Sequence, residues 1–252
     1  TRTHQQYINL FLKKNIYIFC EKPGGNNIHD ARFLEKLKTR NKKRIYINYN
    51  LLFSENFKII NNAIKNKKKY GKIIYIDIKL ASGISYKKEF SNNWRFNSKN
   101  IFDQIAGNIG SHYINLLFWI FKNLYKKNML KLNINKKRDT SLIVLKADKN
   151  ALINLYFSYS TPLVDQISLF FTNAIININD NKVVVHEPRN IFDKNKNFIS
   201  APKKIIKTFN QNKEYSNSLR SSLRFFIEKV KKKENIPINY FNNSVNTLKF
   251  FL

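Results

Sequence analysis

Apolar positions recur at helical spacing from the start of the chain, with Tyr7, Ile8, Leu10, Phe11 and Leu12 marking a helix over His4 to Lys14. The period then changes. Ile16-Tyr17-Ile18-Phe19-Cys20 is an unbroken run of strand formers that stops at Glu21-Lys22-Pro23-Gly24-Gly25. Proline cannot extend a ladder, because it has no N–H, and the glycine pair permits a tight turn. Asn27 is placed to cap a second helix bearing Ile28, Ala31, Leu34 and Leu37 on one face, and Arg44 to Asn50 reads as a second strand. Helix, strand, helix, strand with short links is half of a doubly wound parallel sheet.

Ser54 opens a helix carrying Phe57, Ile60 and Ile64, which ends near Tyr70-Gly71. Ile74, Ile76, Ile78 and Leu80 then alternate with Tyr75, Asp77 and Lys79, the signature of a strand with one buried face. From Asp139 onward strands dominate. Thr140 to Ala147 and Ala151 to Tyr159 form a hairpin, and Gln166 to Thr172, Ala174 to Asn179 and Lys182 to His186 continue an antiparallel sheet. Phe192 to Gln211 reads as a polar loop. A helix from about Ser216 to Val230 carries Leu219, Leu223, Phe226, Ile227 and Val230 on one face, Pro237 breaks it, and a further helix starts near Phe241.

Two stretches carry candidate chemistry. The first strand delivers Glu21 and Lys22 to its carboxyl end, where α/β sheets place their sites; the plain alternative is an ion pair at a strand end. The second stretch is Gln104 to Phe121. On a helix, Gln104, Asn108, Ser111, His112 and Asn115 fall in one sector, while Ile109, Tyr113, Ile114, Leu116, Leu117, Phe118 and Ile120 cover the rest. A polar stripe on a greasy helix must face something polar, a substrate or water, because burying unpaired amides and an imidazole costs a few kcal/mol.

Composition narrows the function classes. The 252 residues, 43% hydrophobic and 14% aromatic, support a real core. Cys20 is the single cysteine, so no internal disulfide can form and a reducing, cytoplasmic setting is expected. The apolar run from Leu116 to Phe121 is too short for a membrane span. His4, His29, His112 and His186 show no metal-ligand spacing, so no metal is expected. A net charge of +30 raises a nucleic-acid reading, but the lysines are scattered through every segment and accompany an excess of Asn and Ile, as in an AT-rich coding sequence. The runs 65–69 and 231–233 suit helix ends, and nucleic-acid binding is the third choice.

Cys20-Glu21-Lys22-Pro23, His4 upstream, Trp94-Arg95, and Gly110-Ser111-His112-Tyr113-Ile114-Asn115-Leu116-Leu117 together resemble the Gfo/Idh/MocA family of NAD(P)-dependent sugar oxidoreductases, from residue 1 almost to the end. The resemblance implies an α/β plus α+β protein: over residues 1–50 the C-terminal half of a Rossmann-type parallel sheet, and over 51–252 a large open, mostly antiparallel sheet domain covered by helices, for substrate and oligomerisation. It implies NAD or NADP as cofactor, a sugar or nucleotide-sugar as partner, and homo-oligomers through the open sheet. By position, Lys22 would be the catalytic lysine beside the nicotinamide and His112 a general base or hydroxyl binder. Glu21, Lys22, Pro23 and His4 would lie at the cofactor, and Asn108, Trp94, Arg95 and Asn115 at the substrate. The Lys22–Pro23 bond is expected to be cis.

Asn108 stands where many members carry aspartate; some that oxidise the 3-hydroxyl of nucleotide-linked amino sugars are similar in having asparagine there. Phe102-Asp103-Gln104-Ile105 replaces the usual glycine run. None of the six glycines forms GxGxxG, and the chain opens on Thr1, so an upstream segment holding the phosphate-binding turn is expected. The favoured expectation is thus an oxidoreductase lacking the N-terminal part of its cofactor domain, ahead of a non-catalytic remnant that serves as an oligomerisation or binding module.

Overall fold

The computed structural model describes residues 3–252 apart from 91–97, 136–138, 149–150, 180–181, 188–191 and 209. It divides into two compact units: residues 1–54, 92–122 and 215–252 form one, and 55–91 with 123–214 the other.

In the first unit, helix α1 (His4–Leu12) leads to strand β1 (Ile18–Glu21); α2 (Ile28–Lys36) and the single turn α3 (Thr39–Lys42) lead to β2 (Ile45–Asn48). The strands pair in parallel from Ile18 opposite Ile45 to Glu21 opposite Asn48, as the alternation of helix and strand predicts. Asn27 caps α2 as expected, its side chain accepting from the Asp30 N–H at 2.9 Å. Neither Gly24 nor Gly25 has positive φ. Both are needed for close approach: a Cβ on Gly24 would lie 2.6 Å from Ile47 Cδ1, and one on Gly25 would collide with Asp30.

Strand β2 is buried along its whole length. After the second unit's first segment, the chain returns through α6 (Ile105–Asn108) and α7 (Gly110–Ile120), and it closes with α8 (Gln211–Lys231) and α9 (Ile238–Phe251). α9 packs against α7, α2 and β2. Tyr46 of β2 is buried among the rings of Phe19, Phe225, Phe226 and Tyr240, and a fully buried aromatic of this kind is worth about 1.5–3 kcal/mol.

The buried face of α8 is turned from the one its apolar spacing marks out, keeping Leu219 and Phe226 half-buried but not Leu223, Ile227 or Val230. Ser218 and Ser222 are completely buried, whereas Leu223, Ile227 and Val230 are exposed. The serines are drawn in by hydrogen bonds. Asn50 Nδ2 donates to Ser218 Oγ at 2.8 Å, and Ser222 Oγ donates to Asn48 Oδ1 at 2.6 Å. Because the one Ser222 proton is spent on Asn48, the Tyr46 hydroxyl, 2.6 Å away, is the donor to Ser222.

The second unit carries α4 (Glu55–Lys65), α5 (Lys67–Tyr70) and β3 (Ile73–Ala81). It also carries β4 (Leu124–Leu132), β5 (Thr140–Ala147), β6 (Ala151–Ser158), β7 (Val164–Phe171), β8 (Ile175–Asn179), β9 (Lys182–His186) and β10 (Lys203–Thr208). These strands form one sheet in the order β10-β9-β8-β7-β3-β6-β5-β4, antiparallel except between β3 and β6. One face is the core, with Ile76, Ile78, Ile143, Leu145, Leu155 and Leu169 buried. The hairpin of β5 and β6 falls where the pattern places it. Two strands do not appear in that pattern: β4, and β10 within the stretch that reads as a polar loop.

Candidate active site

The site is built at the carboxyl ends of β1 and β2. The Lys22–Pro23 peptide is cis, as the resemblance implies. Lys22 leaves β1 and its Nζ donates to both oxygens of Asn108, at 2.5 Å to the main-chain carbonyl and 2.8 Å to Oδ1. That carbonyl is available because α6 ends at Asn108 and α7 begins only at Gly110. Ser111 Oγ donates to the same carbonyl at 3.3 Å.

His112 follows one turn after Asn108, as the third residue of α7. The residue is half-buried, but its Nδ1 is sealed from solvent and has no hydrogen-bond partner. Burial, with a smaller push from the Lys22 cation, holds its pKa well below the usual histidine range, so the ring is neutral at pH 7. Tyr49, just past β2, sets its ring edge-on to the imidazole, with centroids 5.8 Å apart and planes at 81°. His4 of α1 lies against the same strand end. Its Nδ1 is 2.8 Å from the Pro23 carbonyl, which can only accept, so Nδ1 carries the proton. Burial lowers the His4 pKa, partly offset by that hydrogen bond.

Glu21 is exposed, yet Asn48 Nδ2 donates to its Oε1 at 2.9 Å. It thus ends a directed chain running from the Tyr46 hydroxyl through Ser222 and Asn48. Cys20 is buried beside it, and desolvation, aided by the Glu21 charge, pushes its thiol up to about 12, an inert core group.

The structure therefore brings Glu21, Lys22, Pro23, His4, Asn108 and His112 together. It turns Asn115 elsewhere: the residue is fully buried and its Nδ2 donates to Thr247 Oγ1 of α9 at 3.1 Å. Gln104 likewise bonds the carbonyls of Ser98 and Lys99. Trp94 and Arg95 lie outside the described residues. Tyr49 and the Tyr46–Ser222–Asn48 chain are not in the sequence reading. The signal for Asn48 and Tyr49 was their place at the end of β2, beside the end of β1. Among the described residues there is no cluster of three His, Cys, Asp or Glu side chains that could hold a metal, and no helix is long and apolar enough to cross a membrane.

No protein-family model matches the sequence, and no curated protein matches it either. Solved structures do match. A myo-inositol dehydrogenase from Corynebacterium glutamicum aligns with TM-score 0.72 at 16% identity, over 99% of this chain and 72% of its own. A putative NADPH-dependent oxidoreductase from Desulfitobacterium hafniense aligns with TM-score 0.78 at 12% identity, over 98% and 72%. A 3-ketoreductase from Actinomadura kijaniata, in complex with NADP and TDP-benzene, aligns with TM-score 0.73 at 13% identity, over 99% and 73%. At these identities the likeness shows the fold. It is the two-domain fold of Gfo/Idh-type oxidoreductases, with a small parallel sheet and a large mixed sheet accompanied by helices.

Proposed function

We propose that this chain handles the substrate in an NAD(P)-dependent oxidoreductase reaction at a hydroxyl or keto group of a sugar or nucleotide-sugar. The observation that carries the reading is the convergence of Lys22, Asn108 and His112: a lysine at a strand end, fixed by two amide oxygens, beside a neutral histidine with a buried nitrogen. The fold shared with nicotinamide-dependent oxidoreductases supports it.

The residues present fit one end of such a cofactor. Lys22, His4 and Glu21 cluster at the end of a parallel strand, the position suited to the nicotinamide, whereas none of the six glycines forms a phosphate-binding GxGxxG turn. The nicotinamide, when bound, supplies or accepts the hydride. Lys22 holds a proton at Nζ for the substrate oxygen, and His112 binds that oxygen. Asn108 fixes the lysine without adding a negative charge.

Self-association belongs to the same reading. Tyr125, Leu130, Leu132, Leu152 and Ile205 are exposed and, by register, share the open face of the large sheet, a surface suited to a second copy. The test is NAD(P)H-linked turnover by the protein against a panel of keto-sugars and keto nucleotide-sugars, alongside cofactor binding followed by fluorescence. Turnover with any member supports the proposal. Absence of both binding and turnover would leave the non-catalytic module as the better reading.

A further inference from the structure

A histidine that meets a ligand is usually oriented by a hydrogen bond at the nitrogen turned away from it, which also fixes the tautomer. His112 lacks that bond, because Nδ1 is buried and unpartnered. What stands against its ring instead is Tyr49, in the edge-on geometry that aromatic pairs favour. Tyr49 is itself immobilised. It is 1% exposed, its N–H donates to the Ile47 carbonyl at 3.0 Å, and the 3₁₀ turn that follows it (Asn50–Phe53) is tied to α8 through Asn50 and Ser218. The Tyr49 hydroxyl has the Ser111 hydroxyl as a polar neighbour but makes no well-formed hydrogen bond, so the ring is what holds His112.

The same surroundings decide where the imidazole proton sits. A buried N–H without an acceptor is the rarer and costlier orphan in proteins, and here it would also lie within the field of the Lys22 cation. A bare lone pair at Nδ1 avoids both penalties. We infer that Tyr49 is a positioning residue that holds His112 with its single proton on Nε2, so that His112 meets an oxygen of its ligand as a hydrogen-bond donor. Proton transfer to and from that oxygen then falls to Lys22 alone. This division of labour rests on the oxidoreductase reading, but the tautomer is a property of the chain by itself.

Long-range proton–nitrogen NMR of the nitrogen-15-labelled protein at neutral pH tests it without substrate or cofactor. The His112 signals are identified by their loss in His112→Gln. Expected are a protonated-type shift for Nε2 and a lone-pair-type shift for Nδ1, retained in Tyr49→Phe, which keeps the ring. In Tyr49→Leu the two shifts should move toward each other as the ring gains freedom. A proton on Nδ1 or averaged shifts in the unsubstituted protein would overturn the inference, as would well-separated, unchanged shifts in folded Tyr49→Leu. Should Tyr49→Leu not fold, as judged by near-UV circular dichroism, the tautomer of the unsubstituted protein and its retention in Tyr49→Phe decide the matter. If the tautomer is as expected and no turnover is found with any substrate, the oxidoreductase reading fails and the assignment at His112 stands.

Discussion

Lys22 and Asn108 are bound to each other twice, once through the asparagine side chain and once through its main-chain carbonyl at the break between α6 and α7. The lysine is therefore gripped by backbone as well as by side chain. Asn108→Ala should leave one contact and cost roughly tenfold in kcat/KM, since a hydrogen bond to a charged group is worth about 1.5–3 kcal/mol and half of the grip survives. Steady-state kinetics on the variant check this.

Asn108→Asp sets a carboxylate against the Lys22 ammonium. An opposite charge at that range favours the charged form, so the basic limb of the pH–rate profile should move up by about one pH unit or more. An unmoved limb would mean that the titration seen in the rate does not belong to Lys22.

Lys22→Ala should abolish turnover while nicotinamide binding, followed by fluorescence, stays within about threefold, because it removes a proton carrier and not a binding surface. His112→Gln, which keeps a donor near the position of Nε2, should retain at least about tenfold more activity than His112→Ala. Equal losses would count against a donor role.

Folded His112 takes up a proton well below its ordinary pKa of 6.5. Above that pH it is neutral in both states and contributes no pH dependence. As pH falls below it, the unfolded chain binds a proton that the folded chain refuses, so stability declines by up to about 1.4 kcal/mol per pH unit until the folded pKa is reached. His4, lowered too, adds in the same direction. Urea melts across this range should show a shallower decline in His112→Gln than in the unsubstituted protein.

Ser222→Ala leaves the Tyr46 hydroxyl and Asn48 Oδ1 without the partner that joins them. Two buried orphans at about 1–3 kcal/mol each predict a loss of about 2–6 kcal/mol, read from urea unfolding. Tyr46→Phe removes only the terminal donor and should cost less.

If the open face pairs with a second copy, Leu152→Lys should shift the sedimentation coefficient toward the monomer. A monomeric unsubstituted protein at all concentrations would remove self-association from the reading.

What was legible in the sequence is what local rules govern. The two parallel strands, the Asn27 cap and the β5–β6 hairpin follow from runs of strand formers, a capping side chain and alternation. The edge strands were hidden for physical reasons. β4 is interrupted by a register shift between Lys126 and Asn128, which breaks its alternation, and both β4 and β10 are solvent-exposed and rich in lysine, as edges guarded against further pairing tend to be. Part of the inward face of α8 follows the apolar spacing, at Leu219 and Phe226, but hydrophobicity ranks Leu223 above Ser222, while hydrogen bonds to Asn48 and Asn50 decide the packing there. At the site, Lys22, Asn108 and His112 were visible as residue types. Tyr49 acts through ring geometry, which no spacing encodes.

The hydroxyl chain from Tyr46 to Glu21 also sets an order of events in time. Glu21 is secured by Asn48, but Asn48 is secured by Ser222, which a ribosome reaches 201 residues after Glu21. At about 5–20 residues per second, the end of β1 waits on the order of ten seconds or more before its last partner exists. Early-made Glu21 is thus locked late, once most of the chain has been made.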